Sequence, residues 1–420
     1  DGATDSILGD RAAGRDLVAT PASRTDRHAR AETLTVHATL LVFMLGALLV
    51  QVPTRGISAD NSWHFRLSRD ILAGIPVYWS AVDANRLFPD LLYSIGAMLL
   101  PSGRFFSNWI FYYHAVHSLV LYLSLAALAA AVFDDLYRRR LFLFTAVFAL
   151  TVFMVGLDFW GFWLLVPGNH GAGLPIAFFC LAILFAMNRA GVVSGPGTAA
   201  FVAMTALVIA SNRLLIISFV VPLFLALLIG FGLRGPGRRT EGRSGPLAFA
   251  NARTALFAIL TLMTAIAGLG GFLMWRILAD LSWHRLVAPG GQPDIALNWT
   301  WLSTTLTKEW SEIALALTTS YRWDIVFGFI VLIATVAAGV YVLLRAIRSR
   351  PLTTEEEHRV MLACFAALSA LASYAFTVIK TDDSGTWHYR YIAMSTAFGL
   401  VSLSALLLWF EPTAKPRRGF

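Results

Sequence analysis

The sequence predicts an all-α, polytopic membrane protein with about ten transmembrane helices. Three observations predict it. The 420 residues are 57% hydrophobic and 14% charged, with a mean hydropathy of +0.66, whereas soluble domains carry roughly 25% charged residues. The apolar residues gather in runs close to the ~20 residues that a helix needs to cross a bilayer. The polar residues fall between those runs, with Lys and Arg concentrated on alternate connections. A water-soluble globule, a disordered chain and a disulfide scaffold are excluded together. Cys180 and Cys364 each lie inside an apolar run and read as small core residues.

Residues 1–33 are polar and Arg-rich and hold no apolar h-region, so they are expected to be a cytoplasmic tail and not a cleaved signal peptide. A single transmembrane domain is expected over 34–410, followed by a short cytoplasmic tail at 411–420. Its spans are expected at 34–52, 108–133, 140–157, 172–188, 198–211, 214–233, 254–277, 325–346, 359–379 and 391–410. The fifth is short. Only Ser211-Asn212-Arg213 separates it from the sixth, which predicts a tight helical hairpin or a broken helix. The apolar run from Leu87 to Leu100 carries Pro89 and Asp90 and is too short to span with ease, so it reads as re-entrant or interfacial.

Alternation of ten spans puts both termini on one side, and the charges then sort. The six segments on the tail side hold 21 of the 33 Lys and Arg residues, and the opposite side is electrically neutral. The whole formal charge of +8 is therefore on the tail side. By the positive-inside rule that side is cytoplasmic, and the basic balance is topological, with no nucleic-acid partner implied. The expected location is the plasma (inner) membrane. The two longest loops, 53–107 and 278–324, both face outward, and the cytoplasmic links are short Gly-, Pro- and Arg-rich connectors. Chemistry is thus expected at the outer membrane surface.

In the first outer loop, Trp63, Leu67 and Ile71 recur at helical spacing, and Gly74 and Pro76 stop the element. This predicts an amphipathic helix over 60–73 lying in the interface plane. Asp60 at its start is either a helix N-cap or a general base at the water–lipid boundary. His64, Asp83 and Arg86 share the loop. Asn169 and His170 precede the fourth span, Trp283 and His284 open the second large loop, and Lys380, Asp382, Asp383, His388 and Arg390 lie between the last two spans. Arg213 sits between two very apolar runs. A charge at that depth marks a functional cavity or an ion pair, for instance with Asp158. Arg390 could bind or simply snorkel. Arginines in an outward cavity suit phosphate, whose oxygens match the guanidinium fork.

His64, His170, Asp60 and the Asp382-Asp383 pair have the chemistry of an N/O metal site, but no HExxH, HxH or paired-Cys spacing supports one. No cofactor is expected, and a divalent metal stays open. His114 and His117, one turn apart in the second span, read as packed residues near its outer half. There is no Walker lysine loop and no GxSxG elbow.

The plan resembles that of the GT-C superfamily of polytopic glycosyltransferases. The stretch ADNSWHFRLSRDILAGIPVYW is similar to that family's first external loop, with an acidic residue shortly after the first span and an interfacial helix. The Asn212-Arg213 break and the KTDDSGTWHYRY loop resemble its mid-chain outward break and donor-phosphate region. The sequence departs from many members in having Asn61 beside Asp60 in place of a second acid, and in lacking an appended soluble domain. The resemblance implies inverting transfer of a sugar from a polyprenyl-phosphate donor to a hydroxyl of a lipid or glycan acceptor. Asp60 would be the base. Arg213, Lys380 and Arg390, with His388, would hold the donor phosphate. His64, Asp83, Arg86, Asn169, His170, Trp283 and His284 would line the substrate site, with Trp63 and Trp79 available for stacking. The alternatives are a secondary transporter, against which no related halves are found, and a membrane acyl- or phospho-alcohol transferase.

Overall fold

The computed structural model describes residues 24–51, 59–75, 88–101, 106–156, 171–212, 214–233, 247–281, 323–348, 352–379 and 389–408, together with Leu164, Thr307 and Ser311. Among these residues every regular element is helical. The helices are α1 (Arg24–Gln51), α2 (Ala59–Leu72), α3 (Asp90–Leu99), α4 (Phe106–Val132), α5 (Leu136–Gly156), α6 (Gly173–Ala190) and α7 (Gly195–Ser211). A π-helical turn (Ile216–Val220) leads into α8 (Val221–Leu233). Then come α9 (Leu247–Leu281), α10 (Trp323–Arg348), α11 (Thr354–Ile379) and α12 (Tyr389–Leu407). The described residues up to Leu40 and those from Leu41 onward group as two units, with the boundary inside α1.

The all-α polytopic architecture holds. Eight described segments are long and apolar enough to cross a membrane, in α1, α4, α5, α6, the π turn with α8, α9, α10 and α11. The other two expected spans are also helices. At 17 residues α7 is about 25 Å long, and α12 has 19 residues. The 87–100 run forms the short helix α3, with Asp90 in its first turn.

Local signals set the helix ends. At the end of α2, Gly74 adopts φ +67°, and Ile75 N–H donates to Asp70 O while Gly74 N–H donates to Ile71 O. This is a Schellman closure, which the left-handed glycine permits. At the start of α11 Thr353 and Glu356 form a reciprocal capping box. Thr353 N–H donates to Glu356 Oε2 at 2.8 Å, and Glu356 N–H to Thr353 Oγ1 at 3.2 Å. Between α7 and α8 the chain reverses. Asn212 is extended, and its Oδ1 accepts the Leu214 N–H at 3.2 Å, which starts the next helix. Gly197 of α7 lies against Met187 near the end of α6, and Gly230 of α8 against Met361 near the start of α11, so both arms reach the same end of the bundle.

Packing follows membrane rules, in which small residues let backbones approach. A Cβ on Gly271 of α9 would fall 2.8 Å from Ala206 O of α7, and one on Gly339 of α10 would fall 3.0 Å from Ala363 O of α11. Helix α11 is central, touching α10, α12, α8 and the π turn, while α4 packs on α3, α5 and α6. Phe219 of the π turn, Phe365 of α11 and Phe398 of α12 meet in one aromatic cluster, which Phe178 of α6 joins. Beside it runs a hydroxyl seam. Ser369 Oγ donates to the Ser218 carbonyl of the π turn and lies 2.8 Å from Ser395 Oγ, which also contacts Ser373. A π turn frees backbone groups from the regular ladder, and with no water available a neighbouring hydroxyl takes one.

The far end of α4 is held by an ionic clasp. Its last carbonyls, which have no partner within the helix, accept from three other elements. Arg189 of α6 donates to Ala130 O at 3.2 Å, Arg139 of α5 to Phe133 O at 2.8 Å, and His358 of α11 lies 3.1 Å from Ala131 O. A carbonyl can only accept, so His358 Nδ1 carries the proton and Nε2 faces the Asn188 amide at 2.9 Å. Glu355 accepts from Arg138 at 2.8 Å and from Arg359, and takes the Asp134 N–H at 3.2 Å. Arg359 also stacks over the Phe133 ring, 5.2 Å from its centroid. Removing the carboxylate would take this ion pair from Arg359, which is only 5% exposed. Glu355→Ala is therefore expected to cost about 3–5 kcal/mol. Thermal unfolding of purified protein would report it as a clear fall in Tm, with Glu356→Ala, a capping residue, falling less.

Candidate functional site

At the opposite end of α4 the first loop folds back onto the bundle. Helix α2 packs on α3, and α3 on α4. The buried face of α3 presents Asp90, Tyr93, Ser94, Ala97 and Met98, which is helical spacing. It meets the α4 stripe Trp109, Tyr113 and His117, at i, i+4 and i+8. Tyr93 lies edge-on to Tyr113 with centroids 5.8 Å apart and 6.0 Å from the His117 ring. Phe65 of α2 packs edge-to-face on Trp109 at 5.6 Å. Ala172, just before α6, belongs to the same buried cluster.

The centre of this cluster is polar. The Tyr113 hydroxyl donates to Asp90 Oδ1, and Asp90 is only 4% exposed. Burial, reinforced by the Asp90 carboxylate, pushes the Tyr93 phenol well above the ordinary tyrosine range, so it remains a protonated donor. His114 and His117 are both buried, as expected of packed residues.

The mid-chain break joins this end. Phe88 N–H donates to Ser211 Oγ at 2.7 Å across 123 positions of sequence, tying the start of α3 to the last residue of α7. A Cβ on Gly173, at the start of α6, would meet Leu215 at 2.9 Å, Val208 at 3.4 Å and Met394 of α12 at 3.7 Å. The first loop, the segment before α6, the break and the first turns of α12 therefore converge on one end of the bundle.

The expected site residues relate to this end as follows. Asp60 is in the first turn of α2 and Arg390 in that of α12, and the side chains of both, like that of Trp63, lie outside the described residues. Arg213, Lys380, His388, Asp83, Arg86, Asn169, His170, Trp283 and His284 also lie outside them, as do Trp79, Asp158, Asp382 and Asp383. Described anchors flank several of these. Asn212 and Leu214 bracket Arg213, and Gly171 follows His170. His64 is wholly buried. The buried side of α2 holds His64, Leu67 and Ser68, while Arg66 and Arg69 are exposed and Arg69 pairs with Asp70 at 2.9 Å. The inner face thus includes polar residues that the Trp63–Leu67–Ile71 spacing alone does not select. The reason is the polar surface against which α2 and α3 are laid. No group of three metal-ligating residues occurs among the described residues.

Asp90, Tyr93 and Tyr113 were not singled out by sequence reasoning. The signal was present as an acid inside an apolar run, with Ser94 one turn on and an aromatic–histidine stripe in the following span. Two expectations follow. Tyr113→Phe removes the hydrogen bond to a buried carboxyl and should lower stability by about 1–3 kcal/mol, read as a fall in Tm. The fold favours protonated Tyr93, so its titration leaves stability unchanged below about pH 10 and lowers it only as pH rises beyond that. The ultraviolet titration difference between wild type and Tyr93→Phe should accordingly show no phenolate through the ordinary tyrosine range.

Comparison of the chain with protein-family models, curated proteins and solved structures finds no match.

Proposed function

We propose that this protein is an inverting membrane glycosyltransferase that moves a sugar from a polyprenyl-phosphate donor to an acceptor hydroxyl at the outer face of the plasma (inner) membrane, with both termini cytoplasmic. The observation that carries the reading is the convergence at one end of the bundle. An interfacial helix, a buried carboxylate, the mid-chain break and the start of α12 meet there. The surplus of Lys and Arg on the tail side supports outward orientation of that end.

In this reading the Asp60 carboxylate takes the proton of the acceptor hydroxyl. The acceptor oxygen forms its bond to the anomeric carbon from one face, while the bond from that carbon to the phosphate oxygen breaks on the other. The electron pair leaves on the polyprenyl phosphate. Chain connectivity keeps Arg213 within one residue of Asn212, and Arg390 is in the first turn of α12. With Lys380 and His388 they would hold the phosphate and stabilise the charge it gains, at a depth where water screens poorly. Asn169, His170, Asp83, Arg86, Trp283 and His284 would complete the substrate site with His64. No step requires a resident cofactor, and the partners are the lipid-linked donor, the lipid or glycan acceptor and the surrounding lipids.

The experiment is sugar transfer in reconstituted membranes, with labelled polyprenyl-phosphate sugars and a lipid-extract acceptor. Asp60→Asn should lower turnover by about 10²–10⁴-fold with an unchanged Tm. Arg213→Leu should weaken use of the donor. Wild-type protein that is folded yet transfers no sugar from any donor would overturn the reading. Turnover surviving Asp60→Asn would leave Asp60 as an acidic residue of the first turn of α2, favoured there by the helix dipole.

A further inference from the structure

Several buried polar atoms around Asp90 have no hydrogen-bond partner among the described residues. They are the hydroxyls of Tyr93 and Ser94 on α3 and Nε2 of His117 on α4. Tyr93 is 7% exposed, Ser94 0% and His117 3%. Such atoms are costly to leave unmet, the more so at membrane depth. They are not scattered. Ser94 is one helical turn from Asp90, Tyr93 and His117 have ring centroids 6.0 Å apart, and Tyr113 reaches both the Asp90 carboxyl and, at 6.3 Å, the His117 ring.

We infer that Asp90, Tyr93, Ser94, Tyr113 and His117 form a subsite for a neutral polyhydroxylated ring, which in the proposed reaction is a sugar of donor or acceptor. The identity of the ligand rests on the transfer reading, while its place rests on the geometry. Charge selects its class. A phosphate or carboxylate would face the Asp90 carboxylate, a like-charge contact that costs binding. An ammonium group accepts nothing, so the phenol and serine donors would still be unmet. A sugar hydroxyl both donates and accepts, and so answers carboxylate, phenol, serine and imidazole alike. The flat faces of Tyr93, Tyr113 and Trp109 suit the apolar C–H faces of a hexose. Helix α2 is laid over this cluster through Phe65 on Trp109, so the ring enters by displacing α2.

The design separates binding from folding, because the atoms to be deleted make no hydrogen bond among the described residues. Tyr93→Phe and Ser94→Ala should leave Tm unchanged or slightly raised. The full chain in lipid nanodiscs would be irradiated with diazirine-bearing alkyl hexosides, and the labelled peptides mapped by mass spectrometry. We expect labelling within residues 90–117, competed by the plain alkyl hexoside but not by alkyl phosphate or alkylammonium. Each single variant should reduce it about fivefold, the equivalent of one neutral hydrogen bond. Labelling that is absent from this segment, equal in the variants, or competed by the charged probes as well as by the hexoside would overturn the subsite.

Transfer assays on the same proteins keep the two readings apart. Sugar transfer by wild type with unchanged KM in both variants would sink the subsite and leave the transferase standing. Competed labelling without any transfer would do the reverse, leaving a sugar-binding protein of another activity.

Discussion

The capping of α4 by side chains from other helices is the interaction on which the rest of the structure depends. A helix leaves its last carbonyls without partners in the helix itself, and where neighbouring elements cover that end they must supply the donors. Here Arg139, Arg189 and His358 supply them, and Glu355 gathers the surrounding cations. Positive charge is also the favourable sign at a helix C-terminus. One set of contacts thus locks α4 to α5, α6 and α11 together. The stripe Trp109–Tyr113–His117 lies at the other end of this clamped rod, which is why α3 has a rigid surface to lie against.

The same constraint explains the polar residues inside the bundle. Hydroxyls at Ser369, Ser373 and Ser395 are used to answer one another and the carbonyl exposed by the π turn. Thr261, Thr264, Thr335 and Thr396 return their hydroxyls to carbonyls four residues back. These side chains are satisfied, and they make a quiet background. Between α3 and α4, by contrast, Tyr93, Ser94 and His117 bring together polar atoms that meet no partner among the described residues.

Much of the fold was legible because its physics is local or bilayer-imposed. Apolar run length located the eight described segments that are long and apolar enough to cross a membrane, Gly74 stopped α2, and Ser211-Asn212 marked a reversal of the chain. The site was legible only in part. The charges of the connecting loops stand out by their type, but Asp90 in the sequence reads as a reason why its run does not span, and not as a group with a partner. Its partner Tyr113 is 23 positions away in a span whose aromatic residues look like core. The rotation of α2 that buries His64 and Ser68 depends on the surface beneath it, which no spacing within α2 encodes. The clasp was hidden for the same reason, since Arg138 and Glu355 are 217 positions apart.

The bond from Phe88 N–H to Ser211 Oγ has a consequence for assembly. A chain made from its N-terminus delivers α3 to the membrane long before α7 exists. Until Ser211 arrives the start of α3 lacks this anchor, and until α11 arrives the far end of α4 lacks Glu355 and His358. Biogenesis must therefore carry an early helix pair whose polar groups stay waiting, shielded by the insertion machinery or by water at the interface. The late helices then complete both ends of α4, so a ribosome-bound chain stopped before residue 211 has neither the Ser211 anchor nor the clasp.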